Sequence, residues 1–221
     1  MTVFKKDKYI IIKKAISYEL ANFGYNYLLL KRDATKWMHD NNYISKFTPG
    51  HGTWRDKQVP NTYAIYGDTF METLMMKVLP IMQERTEMTL IPCYTYTRVY
   101  KKGDILKRHK DRPSCEISTT LHLGGTPWPI FLDPTGADFV IYGQKEEDKS
   151  VKEGAPKGIP INLEIGDMLV YSGCELEHWR EPLEGDHCAQ AFFHYNNVDG
   201  PFGTENIFDK RPLLGIPNIP K

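Results

Sequence analysis

Residues 105–111 read Ile-Leu-Lys-Arg-His-Lys-Asp, and residues 166–178 read Gly-Asp-Met-Leu-Val-Tyr-Ser-Gly-Cys-Glu-Leu-Glu-His. Each contains a short apolar or β-branched run, and the second is set off by a Gly-Asp turn. They belong to a series of such runs after residue 88, at 90–100, 105–111, 116–123, 129–132, 138–142, 160–164, 168–172, 178–182 and 187–195. Short strands at near-regular spacing, separated by Gly, Pro and Asp, argue for a sandwich or barrel. The texture upstream is different, with helical periodicity dominating 1–87. Helices first and strands afterwards make an α+β fold in which helices cover one face of a β core. The chain reads as a single domain over 1–221, with a helical part at 1–87, a β core at 88–196 and a C-terminal extension at 197–221.

Working outward, residues 8–16 form a β-branched strand, and Ser17 stands where an N-cap would. A helix is expected over 18–40 from Leu20, Phe23, Tyr27, Leu28 and Leu30, with Gly24 as a candidate interruption. Thr69-x-x-Glu72 has the pattern of a capping box for the next helix, which Pro80 is expected to end or kink. Residues 44–66 read as loop with short strands, and Trp54, Arg55, Tyr63 and Tyr66 within it are candidates for a lid. The polar stretch 143–158 is expected in solvent, and the Pro/Gly-rich last twenty residues wrap the surface or trail from it.

Lys+Arg and Asp+Glu are both 28 among 221 residues, so the formal net charge is zero. That balance gives no strong nucleic-acid or anionic-membrane signal. The basic cluster Lys101, Lys102, Lys107, Arg108, Lys110 and Arg112 is most simply a solvated rim. Cys93, Cys115, Cys174 and Cys188 include no CxxC pair and are expected as reduced thiols. The first residues lack the apolar core of a signal peptide, and no stretch approaches the roughly 20 apolar residues of a membrane span. The expectation is a cytoplasmic protein.

Chemistry enters with His109 and Asp111. In an extended strand, residues two apart point to one side, so an imidazole and a carboxylate converge. His178 follows the 168–172 strand on a new one. Two histidines and one carboxylate on one side of an octahedron leave three positions open, the facial triad of non-haem Fe(II) oxygenases. The open positions suit a bidentate 2-oxo acid and O₂. Any of these residues alone is weak evidence, since a lone His is more often hydrogen-bonded structure than a ligand.

Four blocks in order, Tyr94–Asp111, Glu116–Gly124, Gly166–Tyr171 and His178–Gly185, resemble the Fe(II)/2-oxoglutarate-dependent oxygenases, closest to the prolyl-4-hydroxylase-like branch. The resemblance implies a double-stranded β-helix, a jelly-roll or cupin-like core with helices packed on one sheet. It implies Fe(II) at His109, Asp111 and His178, with 2-oxoglutarate and O₂ as co-substrates and ascorbate as an accessory reductant. Tyr100 fills the place of a tyrosine near 2-oxoglutarate, and His122 falls on the strand after the HxD pair. Parity agrees, because Ser118, Thr120 and His122 share one face while Ile117, Leu121 and Leu123 share the other. The retained Asp111 favours hydroxylation over halogenation. The substrate, a protein, a peptide or a small molecule, is not implied.

One departure stands out. Where the family sets an Arg or Lys after the distal His, to pair with the far carboxylate of 2-oxoglutarate, this chain has His187. Arg180, two residues past His178 and on the same strand face, could supply the missing fork. Otherwise His187 carries the load with His122 or Tyr100. An ion pair of Arg180 with Glu181 or Glu184 at the rim is the plain alternative. His194, of opposite parity to His187, is expected outside the metal pocket. The competing functions are a cupin-like metal enzyme without 2-oxoglutarate and a non-catalytic jelly-roll binding module. A zinc hydrolase is disfavoured for want of HExxH.

Overall fold

The computed structural model describes residues 3–144 and 148–217. Helices α1 (Val3–Asp7), α2 (Tyr18–Asp40) and α3 (Thr69–Thr86) interleave with strands β1 (Tyr9–Ile12) and β2 (Tyr63–Tyr66). Then come β3 (Leu90–Lys101), β4 (Leu106–His109), β5 (Ile117–Gly125), β6 (Ile130–Leu132), β7 (Val140–Tyr142) and β8 (Lys149–Val151). The series ends with β9 (Ile159–Ile161), β10 (Met168–Ser172), β11 (His178–Arg180) and β12 (His187–Asn197). No helix among the described residues is long and apolar enough to cross a membrane.

Ser17 caps α2 as expected, its hydroxyl accepting from Leu20 N at 3.2 Å. Gly24 does not interrupt that helix. A Cβ there would lie 3.3 Å from the Phe70 ring and 3.6 Å from Leu123, so the glycine lets α2 lie close to the sheet. The capping box is not formed. Asp68 caps α3 by accepting from Met71 N at 3.2 Å, and Glu72 turns inward to pair with Arg211 at 2.5 Å. A buried carboxylate with a guanidinium partner outweighs one solvent-facing cap bond. Pro80 does not end α3, which runs on to Thr86.

All strand pairs are antiparallel. The larger sheet has the order β1-β10-β5-β12-β3-β2 and the smaller β4-β11-β6-β9, with β7 and β8 a separate pair. Core strands therefore alternate: β3 is in the large sheet, β4 in the small, β5 in the large and β6 in the small. After β9 in the small sheet, β10, β11 and β12 alternate again. Period-2 patterning divides each strand of the large sheet. Ile117, Leu121, Leu123, Met168, Val170, Ala189, Ala191 and Phe193 join Leu28 of α2 and Met71, Met75 and Met82 of α3 in one apolar cluster. A fully buried side chain of this kind contributes about 1.5–3 kcal/mol. The opposite parity, Tyr94, Tyr96, Arg98 and Tyr100 on β3, Ser118, Thr120 and His122 on β5, and Cys188, Gln190, Phe192 and His194 on β12, faces the small sheet.

That division corrects two expectations about β12. His187 shares the parity of Ala189 and Ala191, so it turns toward α2, where it hydrogen-bonds the Tyr25 hydroxyl and stacks on its ring at 5.8 Å. His194, expected outside the pocket, is 6% exposed and lines it. Parity did separate the two histidines, but the inner face is the other one. Arg108 also leaves the expected basic rim. It is buried between Asp133 and Glu177, bonding Glu177 through Nε at 2.6 Å. The C-terminal extension is pinned as well: Asp209 accepts from Arg112, Ser114 and Tyr66.

Candidate metal centre and its anion seat

His109 and His178 are register partners across β4 and β11, with ring centroids 4.3 Å apart. Each Nδ1 meets a backbone carbonyl two residues back, Lys107 O at 2.8 Å and Leu176 O at 3.0 Å. A carbonyl only accepts, so each Nδ1 carries the proton and each Nε2 keeps its lone pair. Those two lone pairs face Asp111 Oδ1, at 3.6 Å from His109 and 3.5 Å from His178. One ligand atom from each of the three residues lies within 4.8 Å of the others. Burial and the neighbouring His178 hold His109 down to about 3, so it is neutral and able to ligate. Burial works to raise the Asp111 carboxyl, but the positive charge that protonation would bring to the facing histidines keeps it well below its ordinary range.

Asp111 lies just past the end of β4, and Gly173 makes room for it. A Cβ at Gly173 would come within 2.5 Å of Asp111 Oδ2 and 2.6 Å of Ser118 Oγ, while Asp111 N donates to Gly173 O at 2.8 Å. Ser118 Oγ donates to Asp111 Oδ2 at 2.7 Å and meets His194 Nδ1 at 3.0 Å. Ser118 and His194 thus fix the carboxylate oxygen that faces away from the histidines. Ser118 was legible only as a polar-face residue, and His194 was missed. The alternation of Ala189, Ala191 and Phe193 against Gln190 and Phe192 was the signal that could have placed it.

A second polar group sits further along the same inner face. Arg180 is 1% exposed and has no acidic partner among the described residues. Its Nη1 donates to Trp128 O and its Nη2 to Thr120 Oγ1 at 3.2 Å, while Nε has no partner. Neither Glu181 nor Glu184 pairs with it. Thr120 Oγ1 donates to Gln190 Oε1 at 3.1 Å, and Gln190 Nε2 donates to His122 Nδ1 at 2.9 Å. His122 therefore carries its proton on Nε2, which is buried and has no partner. Burial, helped by the Arg180 charge, lowers His122 to about 4. Arg180 Nε and His122 Nε2 are thus two unpartnered buried donors, and no carboxylate pairs with the guanidinium. Burial likewise lowers Arg180 from its ordinary value. Tyr100 is fully buried beside them, edge-on to Trp128 at 4.8 Å, and Cys188 takes the inner position that His187 does not.

A cavity of about 950 Å³ opens in front of the triad. Its lining includes His109, Asp111, His178, Tyr171, Phe192 and His194, with Tyr94, Tyr96 and Arg98 from β3 and Asp56 and Gln58 from the 44–66 loop. Part of that loop does lie over the pocket, but Tyr63 packs into the helix-side core, and Trp54 with it.

No family model matches this chain, and no curated protein matches it. Solved structures do. A Pseudomonas putida prolyl-4-hydroxylase aligns with a TM-score of 0.53 at 11% identity, covering 88% of this chain and 95% of that one. HygX from Streptomyces hygroscopicus, solved with nickel and 2-oxoglutarate bound, gives 0.59 at 12% identity, with 89% and 85% coverage. The viral collagen prolyl hydroxylase of Paramecium Bursaria Chlorella virus-1, in its 2-oxoglutarate complex, gives 0.54 at 11% identity, covering 89% and 99%. At such identities the likeness speaks for the fold.

Proposed function

We propose that this chain is an Fe(II)- and 2-oxoglutarate-dependent oxygenase, most simply a hydroxylase, built on a double-stranded β-helix. The observation that carries the reading is the pairing of two polar groups on one inner face. The first is a His-Asp-His set with its lone pairs converging. The second is a buried guanidinium that lacks an anion. A metal-binding triad alone would suit a cupin-like enzyme equally well; the buried Arg180, without an anion, favours the 2-oxoglutarate reading over it. The alternating two-sheet topology and the oxo-acid complexes of the structurally similar proteins point the same way.

In this reading His109 Nε2, Asp111 Oδ1 and His178 Nε2 hold Fe(II), and Arg180, with His122 and Tyr100, receives the far carboxylate of 2-oxoglutarate. Iron bound there supplies the oxidation, coupling decarboxylation of the oxo acid to attack on a substrate C–H bond. The protein's part is positioning. The Lys107 and Leu176 carbonyls fix which nitrogen of each histidine ligates, as outer partners of metal ligands do. Ser118 holds Asp111 Oδ2, leaving Oδ1 for the metal. The Arg180 fork and the His122 N–H orient a carboxylate from one side. Tyr171, edge-on to His178 at 4.7 Å, and Phe192 wall the site against water. Nothing in the donor set conflicts with this group.

Anaerobic protein loaded with Fe(II) and titrated with 2-oxoglutarate tests it. A saturable visible charge-transfer band, lost in Asp111→Ala, is expected. Stoichiometric iron without the band returns the cupin-like reading, and no stoichiometric iron returns the binding module.

A further inference from the structure

Gln58 and a metal ion would use the same lone pair. His109 Nδ1 is committed to the Lys107 carbonyl, so Nε2 is its acceptor, and Gln58 Nε2 donates to it at 3.0 Å. When His109 ligates a metal, that hydrogen bond has to break. The other end of the same amide, Oε1, accepts from Arg98 Nη2 at 2.6 Å. One side-chain amide therefore spans the distance from the candidate ligand to Arg98.

Arg98 is the second buried guanidinium of the inner face. It is 5% exposed, lines the cavity, and its Nε has no partner. A cation so placed needs an anion. The anion is Asp56, which pairs with Arg98 Nη2 and accepts from Tyr96 OH at 2.6 Å. The remaining Asp56 oxygen accepts from the backbone N of Gln58 at 2.8 Å. Asp56 and Gln58 thus form one small unit, on a stretch with no helix or strand, tied down by the Thr53–Ala64 bridge and by Val59 packing near Tyr100 and Leu106. Gln58 Oε1 and Asp56 Oδ2 both accept from Arg98 Nη2, so displacing the Gln58 amide from His109 would also disturb one of that nitrogen's two partners. Among the described lining residues the acids are Asp56 and Asp111, and Asp111 belongs to the triad. Of the other lining cations, Lys110 and Arg112 pair with Asp138 and Asp209, Arg55 stacks on Phe47, and Lys149 lies over the Tyr142 ring. Arg98 is the lining cation whose carboxylate partner comes from the loop.

We propose that Asp56 and Gln58 stand in for substrate, and that the substrate is a small organic acid whose carboxylate takes the place of Asp56 on Arg98 and Tyr96. This rests on the oxygenase reading above and names the substrate class for it. The carbon to be oxidised then lies along the span now bridged by the Gln58 amide, a short spacer away from the carboxylate. The cavity volume suits a small molecule, and Tyr66, Tyr94 and Tyr142 along its walls suit a ring or other apolar body. A cationic substrate would meet Arg98 with like charge.

Phenylacetate and phenylacetamide differ in the charged group and nearly match in shape. Each is titrated calorimetrically into the full chain loaded with Ni(II) and 2-oxoglutarate. The acid is expected to bind about tenfold or more tighter than the amide. Arg98→Gln is expected to erase that preference while 2-oxoglutarate affinity falls far less, and stranding Asp56 is expected to lower the melting temperature. Asp56→Asn, which keeps the shape and removes the competing charge, is expected to tighten acid binding, and it keeps the test decisive if Arg98→Gln does not fold. Equal binding of the two probes, binding of neither, or weaker acid binding in Asp56→Asn overturns the proposal. So does a loss of 2-oxoglutarate binding in Arg98→Gln as large as the loss of acid binding, because Arg98 would then belong to the oxo-acid seat. If the nickel protein takes up no 2-oxoglutarate before any acid is added, the oxygenase reading itself has failed, and this proposal falls with it.

Discussion

The two polar ends of the inner face keep opposite accounts. At the triad, His109 and His178 each spend Nδ1 on a carbonyl, and Asp111 Oδ2 is taken by Ser118, so the polar atoms behind the ligands are satisfied. At the other end, Arg180 Nε and His122 Nε2 are buried donors without acceptors, and no carboxylate answers the guanidinium. One end is a carboxylate framed by two imidazoles. The other is a positive charge framed by further donors. The first is organised by the chain itself, whereas the second leaves donors that an anion would complete, so binding there would relieve a cost of folding.

Arg180→Met is the substitution with the largest expected effect, because it acts on that difference with two signs. Removing the guanidinium takes away the partner of the far carboxylate and should weaken 2-oxoglutarate binding by about 2–5 kcal/mol, the usual loss when one member of a buried charge pair is truncated. The same change deletes an unpaired buried cation, and an apolar side chain of similar reach should hold or raise the melting temperature in the absence of 2-oxoglutarate. Calorimetry with the Ni(II) protein and a thermal melt read the two together. A destabilised protein with unchanged 2-oxoglutarate affinity would make Arg180 a structural residue. Arg108 is the control: Asp133 and Glu177 already pair with it, so Arg108→Met should destabilise by about 3–5 kcal/mol by stranding two acids.

The contrast also explains what could be read in the sequence. The strand runs after residue 88 and the HxD pair are local, since alternation and a spacing of two fix which side chains share a face. His178 was read as a ligand because it opens a new strand after the loop that follows the 168–172 strand. The proposed anion seat was legible only in part. Arg180 followed from same-face spacing with His178, but the choice of Arg180 over His187 depends on which face of β12 points inward. That is set by Ala189, Ala191 and Phe193 packing on the helices, a tertiary fact. The same fact moved His194 into the site. The capping box at Thr69 failed for a similar reason, because Glu72 found Arg211 from a segment far along the chain.

A smaller effect is expected behind the ligands. Ser118→Ala leaves the three ligand atoms in place and frees Asp111 Oδ2 to swing toward the metal or toward His194. Outer-shell losses of this kind typically cost 10–100-fold in metal affinity. Equilibrium dialysis with Ni(II) at neutral pH should show a fall in that range, and Ser118→Thr, which restores the hydroxyl, should recover it if the added methyl fits. A fall with Ala that Thr does not rescue, beside an unchanged melting temperature, would mean the hydroxyl is not what holds Asp111. If neither change affects metal affinity, the difference between a self-completed end and a ligand-completed end is smaller than the hydrogen bonds suggest.

The gentlest probe of the comparison is acid. His122 and His194 are buried neutral, His122 held at about 4 by burial and the Arg180 charge and His194 at about 4 by burial. In the unfolded chain both titrate near 6.5. Below that value the unfolded chain takes up protons that the folded chain refuses, so stability falls as the pH drops from about 6.5 to 4 and is flat above. The slope is about 1.4 kcal/mol per pH unit per histidine at most. Urea midpoints across that range should show it, and His122→Gln should remove its share of the slope. Saturating Ni(II) and 2-oxoglutarate should flatten the His122 share too, because a carboxylate beside the ring favours its charged form and raises its pKa toward the unfolded value. His194 sits at the other end, behind Ser118, and its share should respond to the metal rather than to the far carboxylate. A slope that His122→Gln leaves unchanged would mean that His122 is not protected from protons in the folded chain. The anion seat would then be wetter than its two unpartnered donors imply.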